Sequence, residues 1–185
     1  MIASPSAEPF PAQLAQPRDS AANIHSLVPR DTALSEPWIA IVDHHACRRE
    51  WLCNFLRDRR DIGQRIVGSS LETLLRAHEK GERPALVVLS VGGVSVTTPA
   101  LAAEFEQLLA AFDDVPIVVL SDLESSDEAL LVLAAGAKGF VPTVLDAQML
   151  CLALVLVQAG GIFAPPTLMR EWVQAAHAPG HDTAE

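Results

Sequence analysis

Polar side chains that could carry chemistry stand directly after the apolar runs of this 185-residue sequence. Carboxylate and imidazole groups can coordinate a metal ion or exchange protons, and hydroxyl groups can donate and accept hydrogen bonds beside them. If these side chains lie close together in the fold, they could act together on one ligand or ion. They are Asp43, His44, Ser90, Ser121, Asp122 and Thr143.

The elements that must position these residues alternate regularly from residue 38 onward. Short runs rich in β-branched residues, typical of strands buried on both faces, are each followed by a helical pattern of ten to fifteen residues. Five such repeats predict an α/β fold with a doubly wound parallel sheet, whose ligands bind at the carboxyl ends of the strands. The predicted strands are Trp38–Val42, Arg65–Val67, Ala85–Leu89, Pro116–Leu120 and Gly139–Val141.

The helix starts are predicted from capping residues and apolar periodicity. The first helix, 47–59, is expected to bury one face that contains Trp51, Leu52, Phe55 and Leu56. Ser69 with Glu72 fits a capping box, and Ser126 is the expected N-cap of the fourth helix.

Three segments are expected along the chain. Residues 1–36 contain five prolines and no lasting periodicity, so they are interpreted as a disordered N-terminal tail. Residues 37–163 form the predicted domain. Residues 164–185 hold a C-terminal helix, opened by Pro165-Pro166 and reaching about residue 176, and a short tail.

Composition excludes several classes of protein. A formal net charge of -10 argues against direct binding of nucleic acid or of an anionic membrane. The longest apolar run, Met149–Val157, is too short to span a bilayer, and no signal peptide is recognisable. Three cysteines without metal-ligand spacing suggest reduced thiols in the cytoplasm, with no disulfide frame and no zinc site. Phosphate-binding, nucleophile-elbow and zinc-protease motifs are also missing, so no cofactor is predicted.

Several segments together resemble the receiver domains of LuxR/NarL-type response regulators. The sequence from Ile41 to Glu50, IVDHHACRRE, is similar to the first strand and helix start of these domains. PALVVLS, VPIVVLS and AAGAKGF are similar to segments at their third, fourth and fifth strands. The resemblance implies a flavodoxin-like fold with five strands in the order 2-1-3-4-5.

The same resemblance implies a phosphorylation pocket that has lost its essential groups. In the family, an aspartate at the end of the third strand accepts a phosphoryl group, acids after the first strand hold Mg²⁺, and a lysine follows the fifth strand. This chain keeps Asp43 and the hydroxyl of Ser121, but it has His44 in place of the second acid. Ser90 stands where the phospho-acceptor belongs, and Thr143 where the lysine belongs. Because an acyl phosphate requires a carboxylate, we expect a domain that works without aspartyl phosphorylation and without a metal.

The individual residues leave alternatives open. Asp43 either remains from an acidic pocket or caps the first helix, and a transition-metal site from Asp43, His44 and Asp122 is a minority interpretation. The arginines between residues 48 and 65 are interpreted as a solvated or salt-bridged face, and the acids between 122 and 128 as a solvated loop.

The fifth helix points to a function in protein contacts. It is apolar on nearly every side, so covering the sheet leaves an apolar patch that typically marks an interface. We therefore expect a partner surface at the fifth helix. The resemblance to receiver domains implies a non-enzymatic signalling module in transcriptional regulation, which forms a homodimer or binds a protein partner through its fourth helix, fifth strand and fifth helix. The alternative is a small ligand- or metal-binding protein, or an enzyme, on the same fold. The expected interface residues are Met149, Leu152, Val155 and Leu156.

Overall fold

The computed structural model describes residues 36–177, and their centre is a five-stranded parallel sheet. The strand order is β2-β1-β3-β4-β5, as the sequence predicts for a flavodoxin-like fold. Parallel strands place their carboxyl ends at one edge of the sheet, where the predicted site residues belong. The strands are β1 (Trp38–Asp43), β2 (Arg65–Ser69), β3 (Leu86–Gly92), β4 (Ile117–Ser121) and β5 (Gly139–Pro142).

Helices cover both faces of the sheet. Side chains of the first and fifth helices pack on one face, and side chains of the second, third, fourth and sixth helices pack on the other. Two apolar clusters result, one on each side of the strands. The helices are α1 (Ala46–Arg57), α2 (Leu71–Glu79), α3 (Pro99–Ala111), α4 (Ser126–Ala134), α5 (Ala147–Gln158) and α6 (Pro166–His177).

The central strands are apolar up to the polar residues near their carboxyl ends, because both of their faces are covered. In β1, Ile39 and Ile41 belong to the cluster beneath α1 and α5, whereas Ala40 and Val42 belong to the opposite cluster. Successive side chains of a strand point to opposite faces, so a strand covered on both sides has no position for an exposed polar residue. The continuous apolar runs therefore predict strands correctly.

The buried face of α1 differs from the expectation for one residue. Leu52 and Leu56 are buried as predicted, but Trp51 is 63% exposed. Its ring instead stacks on Phe55, with ring centroids 5.5 Å apart. The helix presents Leu52, Cys53 and Leu56 to the sheet, and this narrow stripe leaves Trp51 on the solvent side.

Two predicted N-caps are displaced by one residue. α2 is capped by Ser70, whose hydroxyl accepts from the Thr73 N–H, and Ser69 is the last residue of β2. α4 is capped by Ser125, which accepts from the Glu128 N–H, and Ser126 is the first helical residue. In both places two serines are adjacent, and the extended backbone of the capping residue decides which one caps.

The sixth helix packs on the domain through Leu168, the one buried side chain among residues 166–174. Leu168 is 2% exposed and belongs to the same cluster as residues of α3, α4 and β5. Just before this helix, Phe163 forms an isolated parallel bridge with Gly139 of β5. The predicted disordered tail lies almost wholly, and the final residues of the C-terminal segment wholly, outside the described residues. No helix within 36–177 has both the length and the apolar character needed to cross a membrane.

Candidate functional site

The site lies where β1, β3, β4 and β5 end. Asp43 pairs in register with Ser90 across β1 and β3. The register of β3 against β4 shifts between Ser90 and Gly92, so that Ser121 lies opposite Gly92. The Thr143 N–H donates to the Ser121 carbonyl at 2.8 Å, which fixes the chain as it leaves β5.

Asp43 is buried and fully engaged by groups of the chain itself. Its Oδ1 accepts from the His45 N–H at 2.7 Å and from Arg48 Nη2 at 3.0 Å. Its Oδ2 accepts from Arg48 Nε at 2.5 Å. The result is a bidentate pair between carboxylate and guanidinium, the geometry for which arginine is best suited.

The surroundings keep Asp43 ionised. Burial by itself raises the pKa of this carboxyl, but hydrogen bonds from Arg48, the Ser90 side chain and the His45 N–H oppose that effect. Their combined action, with the positive charge of Arg48, holds the pKa of Asp43 below its ordinary value. Asp43 is therefore a carboxylate whose countercharge is already present.

Two arginines hold the end of β1 from the first turn of α1. Arg48 reaches the carboxylate of Asp43, and its guanidinium lies over Gly92, where a side-chain Cβ would collide with it. Arg49 donates through Nη1 to the main-chain carbonyl of Asp43 at 2.6 Å. The strand end, the helix start and the end of β3 are thus tied together by guanidinium groups.

The two serines at the strand ends are buried and serve local roles. Ser90, at the end of β3, is 2% exposed and contributes a hydrogen bond to Asp43. Ser121 accepts from the Leu123 N–H at 3.1 Å, and its hydroxyl donates to the Gly92 carbonyl at 3.4 Å. Ser121 is therefore satisfied by the backbone of two neighbouring loops.

The remaining predicted residues find other partners. The His44 side chain, 59% exposed, bonds through Nε2 to Glu104 of α3 at 2.8 Å. Thr143 donates through Oγ1 to Asp122 Oδ1 at 2.7 Å. The structure therefore brings Asp43 and Ser90 together, places Ser121 beside them, and directs His44 and Thr143 elsewhere. A His44 side chain within hydrogen-bond reach of Ser90 would favour the enzyme alternative, but the hydrogen bond of His44 is to Glu104.

The residues present do not fit a magnesium ion. Mg²⁺ prefers several oxygen ligands, mostly carboxylates, phosphates and water. Both carboxylate oxygens of Asp43 already accept hydrogen bonds, and the neighbouring positions supply an imidazole and a hydroxyl. Among residues 36–177 there is no group of three or more His, Cys, Asp or Glu side chains that could hold a metal, so the proposed Asp43–His44–Asp122 site finds no support.

Arg48 is a site residue that the sequence pattern does not single out. The arginines between residues 48 and 65 are predicted to form a solvated or salt-bridged face, and Arg48 does form an ion pair, but its partner is the buried Asp43 of the strand-end site. Two signals were available in the sequence. Arg48 falls in the first turn of α1, five residues after a strand-end aspartate, and a glycine follows shortly after Ser90.

The predicted contact residues on α5 are mostly exposed. Leu152, Val155 and Leu156 are 53%, 38% and 44% exposed, and no residue of this set is charged. Met149 differs, because it is only partly exposed and packs against the core beneath α1 and α5. An apolar patch therefore remains on α5 after the helix has covered the sheet.

The three cysteines form no disulfide and differ in their exposure to solvent. Cys47, in the first turn of α1, is exposed, whereas Cys53 and Cys151 are buried. Desolvation by burial raises the pKa of the Cys53 and Cys151 thiols. Their thiolate forms are accordingly disfavoured.

Comparison with solved structures finds response regulators. A LuxR-family DNA-binding response regulator from Silicibacter pomeroyi matches with 25% identity and a TM-score of 0.59, covering 71% of this chain and 98% of that chain. A LuxR-family two-component response regulator from Aurantimonas sp. SI85-9A1 matches with 23% identity and a TM-score of 0.62, covering 77% and 99%. The isolated receiver domain of RcsB from Salmonella enterica serovar Typhimurium matches with 17% identity and a TM-score of 0.61, covering 74% and 98%.

These matches agree with the resemblance noted in the sequence. No protein-family model matches the chain, and no curated protein does. The strand order, the segments IVDHHACRRE and PALVVLS, and the structural neighbours all indicate the same fold. The described part of the chain has the receiver fold, and its similarity is to receiver domains of the LuxR/NarL type.

Proposed function

We propose that this receiver-like domain is a signalling module that acts through protein contacts and without aspartyl phosphorylation. The observation that carries the proposal is the identity of the residue that ends the apolar part of β3. Ser90 supplies a buried hydroxyl beside Asp43, where the family resemblance places the phospho-accepting carboxylate. A hydroxyl cannot form an acyl phosphate, and the carboxylate beside it, Asp43, is ion-paired with Arg48.

Neighbouring residues support the same proposal. Thr143 stands where the family has a lysine, and its hydroxyl is bound to Asp122, so it offers no positive charge to a phosphoryl group. The carboxylate of Asp43 is paired with Arg48. At the positions that the resemblance assigns to the acceptor aspartate and the lysine, the chain therefore has Ser90 and Thr143, and its Asp43 carboxylate is already paired.

A phosphorylation assay tests the proposal directly. The full chain is incubated with acetyl phosphate and Mg²⁺, and its intact mass is measured beside a receiver domain that retains its acceptor aspartate. We expect the control to gain one phosphoryl group and this chain to keep its mass. A phosphoryl adduct on this chain, located by peptide mapping to the strand-end residues, would contradict the proposal.

We propose α5 as the contact surface, in a homodimer or with a protein partner. Exposed Leu152, Val155 and Leu156 support this, because a contiguous apolar patch on a protein surface typically marks an interaction site. One structural neighbour is a structure of two RcsB dimers bound to DNA, and the dimers and the DNA contact in it are those of RcsB. The net charge of -10 argues against direct DNA contact by the present chain, so its part in the transcriptional regulation that the family resemblance suggests would depend on protein contacts. The three free cysteines favour the reducing environment of the cytoplasm.

Light scattering after size exclusion tests the α5 surface. We expect the native chain to dimerise at micromolar concentration and Leu152→Glu to shift the population to monomer, because a carboxylate at a buried interface must be desolvated. Val94→Glu is the matched control, since Val94 is similarly exposed but lies in the β3–α3 connection. Equal dimerisation of Leu152→Glu and the native chain would exclude α5 as the dimer surface.

A further inference from the structure

We infer that Arg48 closes the strand-end pocket to divalent cations by supplying the positive charge from within the chain. This inference deepens the proposed function, because it names the residue that replaces a metal ion as the partner of Asp43. It rests on the contacts of Arg48, Asp43 and Gly92, and on the poor fit of the site to Mg²⁺.

The carboxylate of Asp43 is already occupied by hydrogen-bond donors of the chain. Arg48 binds both oxygens of Asp43, and the His45 N–H adds a third hydrogen bond. The Asp43 side chain has no exposed surface. A cation that bound this carboxylate would have to displace the guanidinium, since a buried carboxylate in a bidentate pair offers no open face.

The backbone at Gly92 leaves space for the guanidinium of Arg48. Gly92 has a φ of 62°, a conformation that other residues adopt only with strain, and a Cβ there would collide with Arg48. The adjacent Gly93 has open space around its Cα, with no atom within 4 Å of an added Cβ. The side-chain volume missing at Gly92 is therefore filled by Arg48.

The positive charges of Arg48 and Arg49 also oppose a divalent cation at this site. A divalent cation beside Asp43 would lie within a few ångströms of a displaced Arg48, and like charges at that distance repel strongly where water is partly excluded. Arg49 adds a second guanidinium at the same strand end, 2.6 Å from the Asp43 carbonyl. One carboxylate cannot compensate these cations and a metal ion together.

The test restores the missing acids and asks whether Arg48 still blocks the site. Mn²⁺ serves as the probe because free Mn²⁺ is counted directly by its electron paramagnetic resonance signal. The starting variant is His44→Asp with Ser90→Asp, and the comparison adds Arg48→Met, which keeps an unbranched apolar side chain. Adding Arg49→Met to the same starting variant is the matched control, since Arg49 bonds the main-chain carbonyl and not the carboxylate.

We expect the variant with Arg48→Met to bind Mn²⁺ at least about tenfold more tightly than the starting variant, as one full charge is removed from the site. The Arg49→Met control is expected to change the affinity less. Equal Mn²⁺ affinity with and without Arg48, in proteins shown to be folded by circular dichroism, would overturn the inference. The phosphorylation assay on the native chain judges the proposed function separately, because it involves none of these variants.

A measurement on the native chain covers the case in which the combined variant does not fold. The Nε–H of Arg48, held against Asp43, should give a slowly exchanging signal in a ¹⁵N-correlated nuclear magnetic resonance spectrum. We expect this signal to keep its position when millimolar Mg²⁺ is added. Its displacement or loss on adding Mg²⁺ would show that the cation enters the pocket and would refute the blocking role of Arg48.

Discussion

At the scale of single residues, Asp43 illustrates how a strand-end carboxylate can be retained while its partner changes. Its side chain is buried, and burying a charge is costly unless the charge is paired and hydrogen-bonded. Arg48, the His45 N–H and Ser90 meet that requirement. The capping interpretation of Asp43 is not supported, because His45 is the N-cap residue of α1 and Asp43 accepts from the N–H of His45 itself and from no N–H of the first helical turn.

The lowered pKa of Asp43 predicts a dependence of stability on pH. A carboxyl whose pKa is depressed by folding stabilises the folded state above its unfolded pKa, about 4, and this contribution is lost as pH falls through the folded pKa. We expect Asp43→Asn to cost about 2 kcal/mol at pH 7 and to weaken the loss of stability as the pH falls below about 4. Urea unfolding at several pH values measures both effects.

The control for this prediction is Asp114→Asn. Asp114 forms an ion pair with Arg83 in which both side chains are well exposed, so its contribution should be small. An Asp43→Asn protein as stable as the native chain at pH 7 would show that the Asp43–Arg48 pair adds nothing to folding.

The location of the site could be predicted from the sequence, but the hydrogen bonds between its side chains could not. Asp43, Ser90 and Ser121 could be placed together because parallel strands end at a common edge. The role of Arg48 could not be read in the same way, since a guanidinium on a long flexible side chain can face solvent or reach back to a strand end. Only packing at Gly92 and Asp43 distinguishes the two.

At the scale of elements, the N-cap of α4 gives a sharp prediction. The Ser125 hydroxyl accepts from the Glu128 N–H at 3.2 Å, and Asp127 and Glu128 lie in the first turn, where the helix dipole favours acids. Ser125→Ala should lower the free energy of unfolding by about 1 kcal/mol. Ser126→Ala, one position into the helix, should change it little, and the reverse ranking in denaturant unfolding would show that Ser126 is the cap.

Element boundaries were the least predictable part of the fold. Neighbouring serines at 69–70 and 125–126 offer the same capping chemistry, and the backbone dihedral angles that separate them follow from how strand and loop meet. Trp51 was misplaced for a related reason. Its neighbours define the apolar side of α1, but the width of the stripe that reaches the sheet depends on packing.

At the scale of the whole molecule, the alternation of apolar runs and helical patterns was sufficient to predict the sheet and its covering helices. The regular pattern leaves few topologies, because connections between parallel strands are right-handed and short. The strand order β2-β1-β3-β4-β5 agrees with the prediction from the family resemblance. The contribution of α6 was harder to foresee, since Leu168 is the one buried side chain among its residues 166–174.

That contact predicts that α6 stabilises the domain and is more than an appended segment. Leu168→Ala should reduce the free energy of unfolding by about 3 kcal/mol, because it leaves a cavity in the cluster shared with α3 and α4. Met169→Ala is the matched control, since Met169 is exposed on the same helix. Comparable small losses for both variants in urea unfolding would mean that α6 packs only loosely.

The unequal access of the three thiols has a practical consequence. A maleimide reagent should react at Cys47 and spare Cys53 and Cys151, whose thiols are buried and hard to ionise. A fluorophore attached to Cys47 would lie one residue before Arg48. A single dye on an otherwise native chain would then report whether Arg48 stays bound to Asp43 when a partner binds.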